Sequence, residues 1–170
     1  MNLKEAIESA LELEKKIAKY YAESAEKESD KSGKHFYNFL AKEEEGHVGY
    51  LKKMLANYEN SGKIEDKELP TLFTRESWAL EGEESLKETG KKHPSEGEMQ
   101  RLLRALELEE EATRLYQKLA GEFGSEGKKV FQRFLEIEDA HTSLVRAEVD
   151  YFNKSGYFYD FPEFSLESME

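Results

Sequence analysis

The chain contains no cysteine. That excludes disulfides, thiol catalysis, Cys-ligated zinc and a rubredoxin-type iron centre within these 170 residues. Proline is scarce, at positions 70, 94 and 162 only, and there is a single tryptophan, Trp78. No apolar run approaches the ~18 residues that mark a helix crossing a bilayer. Positive charge is in deficit: 25 Lys and Arg against 37 Asp and Glu leave a formal charge of −12. That balance argues against nucleic acid and against an anionic membrane surface as partners. The first residues, "MNLKEAIESALELEKK", carry acids and lysines where a signal peptide needs an apolar core. A cytoplasmic location is the resulting expectation.

What the chain does have is charge and good helix formers. Charged residues make up 36% of it, well above the ~25% of an average domain, as long helices with solvated outer faces require. The length suits one domain with its own core. Four long helices are predicted, at about 3–29, about 34–60, from Pro94 to "GEFGSEG", and about 126–154. Ser32 and Gly33 are expected to break the chain between the first two. Ser95 is the expected N-cap of the third, with Glu98 completing a capping box. A connection at about 61–95 would carry a short helix at about 74–89, with Trp78 anchoring it to the bundle. Residues 1–154 are expected to form one domain, followed by an aromatic and acidic tail at 155–170.

The two halves repeat. "ALELE" occurs at 10–14 and again at 105–109, and Tyr21 and Tyr116 each follow seven residues after its second Glu. Helix one matches helix three at an offset of 95, and helix two matches helix four at 94. Two helical hairpins joined by a long crossover make an all-α, ferritin-like four-helix bundle. A bundle with short loops would not need about 35 residues of connection.

Helical phase sorts the acids. Residues two apart lie on opposite sides of a helix, so Glu12 and Glu14 cannot both face the core. Glu14 shares its stripe with Ile7, Ala10, Leu11, Ile17, Ala18 and Tyr21, whereas Glu12 lies among Glu5, Glu8, Lys15 and Lys19. By the same reasoning Glu109 points inward and Glu107 outward. "EEGH" places Glu44 and His47 on one apolar face, and "EDAH" does the same for Glu138 and His141. Glu43 competes with Glu44, because Phe36, Phe39 and Tyr50 share its stripe. The offset of 94 selects Glu44 as the match of Glu138.

Four inward carboxylates with no Lys or Arg on their stripes demand positive charge from elsewhere. Two divalent cations supply it, with neutral His as the nitrogen ligands. One Glu from each of two helices plus Glu-x-x-His from each of the other two is a dinuclear carboxylate pattern. Oxygen-rich ligation with one imidazole per metal suits iron or manganese better than a closed zinc site. The candidate ligands are therefore Glu14, Glu44, His47, Glu109, Glu138 and His141. Tyr21 and Tyr116 are candidates to hydrogen-bond a ligand oxygen, with a plain core role as the alternative. His35 and His93 have no acids at ligand spacing and read as surface residues.

The stretches "ALELEKKIAKYY", "FLAKEEEGHVGYL", "ALELEEEATRLY" and "FLEIEDAHTSLV" together resemble the rubrerythrin-like branch of the ferritin-like superfamily. The ending "DYFNKSGYFYDFPEF" is similar to the tail of its short single-domain members. The resemblance implies a non-haem di-iron centre, often in a homodimer. Glu14 and Glu109 would be terminal ligands, Glu44 and Glu138 bridging carboxylates, and His47 and His141 would each complete one metal. It implies an oxidoreductase that reduces peroxide or dioxygen, with electrons from a separate rubredoxin-like donor. The alternative is iron binding, ferroxidation or storage without peroxidase turnover. Two departures stand out: the missing four-cysteine domain, and Ala112 where rubrerythrins carry an additional Glu.

Overall fold

A computed structural model of the protein describes residues 1–65, 67–69, 71 and 93–159. Four helices account for most of them: α1 (Leu3–Lys27), α2 (Lys31–Ser61), α3 (Glu96–Glu122) and α4 (Ser125–Ser155). There is no strand among the described residues. Helix α1 packs on α2, α3 packs on α4, and α1 meets α3 across the bundle. The fold is an all-α four-helix bundle.

The duplication is visible in the helix ends. Helices α2 and α4 are both 31 residues long and end on Gly62 and Gly156, at φ 69° and 75°. A left-handed backbone at the end of a helix favours glycine, which has no Cβ to clash. Each end is closed in the same way. The Gly62 N–H donates to the Tyr58 carbonyl and the Gly156 N–H to that of Phe152. The hydroxyls of Ser61 and Ser155 donate to the carbonyls of Asn57 and Tyr151. The link from α1 to α2 spans three residues and that from α3 to α4 two, which accounts for the change of offset.

Ser32 and Gly33 do not break the chain as the sequence suggested. Helix α2 starts three residues earlier than expected, because the Asp30 carboxylate accepts from the Gly33 N–H at 2.9 Å and caps it. Gly33 is there for space. A Cβ on it would lie 2.7 Å from the ring of Phe158, which folds back from beyond α4. Helix α1 ends at Lys27 rather than near 29, because Glu28 turns to extended backbone. Its carboxylate accepts from the N–H groups of Ser29 and Asp30 and pairs with Arg101 at 3.0 Å. Ser95 caps α3 by accepting from the Glu98 N–H at 3.5 Å. The short helix expected at about 74–89, Trp78 and the tail beyond 159 lie outside the described residues.

Two apolar clusters fill the bundle. One holds Ile17, Tyr21, Phe36, Tyr37, Leu40, Leu102 and Phe152. The other holds Ile7, Leu51, Met54, Tyr116, Leu119, Phe131 and Phe134. Each such side chain, fully buried, contributes roughly 1.5–3 kcal/mol. The midpoints of the helices, where Glu14, Glu44, Glu109 and Glu138 lie, fall between the clusters, so apolar packing closes the polar layer from both ends.

A further carboxyl is buried away from that layer. Glu148 stands where the repeat places Met54, and it accepts from the Tyr159 N–H at 2.9 Å. Burial pushes its carboxyl up to about 8. The folded chain keeps a proton that the unfolded chain releases near 4.5, so stability is highest below 4.5 and falls as pH rises from there to about 8. Glu148→Gln retains an oxygen for Tyr159. It is expected to stabilise the protein on the order of 3 kcal/mol at pH 9 and hardly at all at pH 4. Urea unfolding of both chains across that range checks this; a difference that does not change with pH would refute it.

Candidate metal centre

Each candidate ligand comes from the middle of a helix, where backbone hydrogen bonding is complete and the side chain alone faces inward. Glu14, Glu44, Glu109, Glu138 and His141 are 0% exposed and His47 is 1% exposed. Glu12, Glu45, Glu107 and Glu136 are exposed, as helical phase requires. The six inward residues converge on one place. Ligand atoms of Glu14, Glu44, His47 and Glu138 lie within 4.8 Å of one another, and so do those of Glu44, Glu109, Glu138 and His141. Glu44 and Glu138 belong to both groups.

The imidazoles face the carboxylates through the same atom. His47 Nδ1 lies 3.1 Å from Glu44 and from Glu138, and 3.4 Å from Glu14. His141 Nδ1 lies 2.9 Å from Glu44, 3.7 Å from Glu138 and 3.8 Å from Glu109. The two rings stack, with centroids 5.5 Å apart and planes 12° apart.

The two tyrosines exchange partners between the halves. The Tyr21 hydroxyl donates to Glu109 Oε1, and the Tyr116 hydroxyl donates to Glu14 Oε1. Each "ALELE" helix thus fixes the inward acid of the other copy. Both rings are also fully buried in the core, so the two roles suggested for them coincide. These contacts show that α1 and α3 run antiparallel, since the later residue of one meets the earlier residue of the other.

Packed together without added charge, the groups shift one another. Burial raises Glu14 well above the carboxylate range, and Glu138 and Glu44 reinforce this. Burial likewise raises Glu109, with Glu44 adding to it. For Glu44 burial acts upward too, but the facing imidazoles outweigh it and hold this carboxyl well below its usual range. For both imidazoles burial acts downward, and the surrounding carboxylates overcome it and raise them well above 6.5.

The donor set fits cations. Glu109 Oε2 and Glu138 Oε2 are buried and no hydrogen bond satisfies them, and Glu44 Oε1 and Glu138 Oε1 have only an imidazole nitrogen beside them. Orphaned buried acceptors on this scale are rare in folded proteins. These Glu and His groups could hold metal ions, and three to four hard oxygens with one nitrogen match a divalent cation.

Phase and offset missed one member. Glu43 is buried as well, at 5% exposure, and forms a third close group with His47 and His141. The signal was present, since Phe36, Phe39 and Tyr50 share its stripe, but the repeat has Ile137 at the matching place. His93 is exposed and His35 half-buried, and neither joins such a group among the described residues. Ala112 is buried and brings no carboxylate.

No family model, no curated protein and no solved structure matches the chain. What fold and site define is a class: an all-α four-helix bundle whose buried glutamates and histidines can hold metal. No helix among the described residues is long and apolar enough to cross a membrane.

Proposed function

We propose that this protein is a non-haem di-iron carboxylate oxidoreductase of the rubrerythrin-like kind, reducing peroxide or dioxygen. The carrying observation is that Glu44 and Glu138 are common to two four-residue groups. Two separate sites would not share ligands. Glu14 and His47 would hold one ion, Glu109 and His141 the other, and Glu44 and Glu138 would span both. Manganese is the other metal this donor set suits.

Two ferrous ions held there would supply the two electrons that convert peroxide and two protons to two waters. The chain's own residues do the rest. Apolar packing at both ends keeps bulk water out. Tyr21 and Tyr116 hold Glu109 and Glu14 in place and set the direction of their second oxygens. With no cysteine in the chain, the electrons are restored by a separate donor, for which a rubredoxin-like protein is suited. A cytoplasmic homodimer is the assembly we propose.

Stopped-flow mixing of the diferrous protein with peroxide, and separately with dioxygen, tests the reading. Oxidation faster than that of free ferrous ion, at two irons per chain, is expected. If neither oxidant outpaces free ion, the enzyme reading fails and iron binding alone remains. Hundreds of irons in a large cage on size-exclusion chromatography would favour storage instead.

A further inference from the structure

We infer that Glu43 is a positioning residue that makes the two metal subsites unequal, so that the His141 subsite binds its ion first and more tightly. The inference rests on the dinuclear reading above and concerns a residue outside its ligand set.

Both imidazoles turn Nδ1 toward the shared carboxylates, which leaves Nε2 on the far side of each ring. Behind His141, the Glu43 carboxylate lies 3.5 Å from Nε2. Behind His47, Nε2 is buried too, but Glu43 approaches that ring less closely, with an oxygen within 4.8 Å of one of its nitrogens. The internal repeat explains the difference. At the offset of 94 the counterpart of Glu43 is Ile137, itself buried and unable to accept a proton. The six ligands obey the duplication and this seventh residue breaks it.

Glu43 is held for the role. The Thr71 hydroxyl donates to its Oε2 at 2.6 Å, the same oxygen that faces His141. Thr71, which follows α2 in the connection between the hairpins, thus secures the carboxylate. A histidine bound to metal through Nδ1 carries its proton on Nε2. A carboxylate accepting from that proton orients the ring and makes the ligating nitrogen a stronger donor. Of the two histidines, His141 is the one that Glu43 approaches to 3.5 Å. The subsite formed by Glu109 and His141 should therefore be the tighter one.

Cobalt(II) titration of the metal-free full-length chain is the test, followed by absorbance and calorimetry. The wild type is expected to take two ions in two resolved steps. Glu43→Gln keeps size and an acceptor oxygen but loses the charge; it should weaken the tighter step about 10-fold. Glu43→Leu, which mimics Ile137, should weaken that step by up to about 100-fold, leaving the other within about threefold and the total at two. Proton NMR of the cobalt-loaded protein supplies a signature that a merely structural role would not move. Of the two exchangeable imidazole N–H resonances, Glu43→Gln should shift one and leave the other. Equal weakening of both steps, an unchanged first step, or equal shifts of both resonances would overturn the inference while leaving the dinuclear site standing. A wild type that binds no cobalt would instead overturn the dinuclear reading, and this inference with it.

Discussion

Anaerobic addition of ferrous ion is expected to raise the melting temperature of the metal-free protein by about 10–20 °C. The size follows from the ligand set. An ion that binds only the folded chain stabilises it by about 2.7 kcal/mol at a hundredfold excess over its dissociation constant. Two such ions give about 5 kcal/mol, and each kcal/mol moves a domain of this size by about 2–4 °C. The unfolded chain cannot compete, because the six ligands come from four helices and the two halves lie about 95 positions apart. Without metal, Glu109 Oε2 and Glu138 Oε2 are buried without a hydrogen bond, so the folded state starts from a handicap that cations remove. Manganous ion should act in the same direction. Magnesium, which dehydrates reluctantly and prefers oxygen ligands alone, should do far less. Differential scanning calorimetry at one protein concentration decides. A shift below about 3 °C with both iron and manganese would sink the dinuclear reading.

The inward set was legible because two independent regularities agree on it. Helical phase places Glu14 on an apolar stripe and Glu12 on a charged one, and burial follows that division. The repeat then pairs each choice with a second copy. Both rules concern a helix and its own neighbours, and they end where contacts between distant segments begin. Tyr21 bonds Glu109 from 88 residues away and Tyr116 bonds Glu14 from 102. Periodicity shows that these rings point inward but not which acid they meet. Glu43 was set aside for the opposite reason: a rule of symmetry cannot select the residue that departs from symmetry. Gly33 shows the same limit in the backbone. A glycine beside a serine reads as a break, and only the ring of Phe158, arriving from the far end of the chain, reveals that the helix needs the space.

The protons already in the centre set the second large effect. In the metal-free protein at pH 6, Glu14 and Glu109 are shifted toward the neutral acid, Glu44 toward the carboxylate, and His47 and His141 toward the imidazolium. Cations need both Nδ1 lone pairs and the carboxylate oxygens, so binding must expel protons. The two imidazoliums release about one each, and Glu14 and Glu109 add up to two more. Loading two manganous ions at pH 6 is therefore expected to release between about two and four protons, and the combined affinity should rise about 10²–10⁴-fold per pH unit. The stability of the metal-free chain should move the other way. The raised imidazoles favour the folded state fully below about 6.5, and that contribution is lost as pH climbs through their folded values. Raising the pH thus weakens the empty bundle while it tightens the loaded one. Calorimetric titration in two buffers of different ionisation enthalpy counts the protons directly. Release of fewer than one proton per pair of ions would mean that the histidines are already neutral or do not bind, and either outcome defeats this account of the centre.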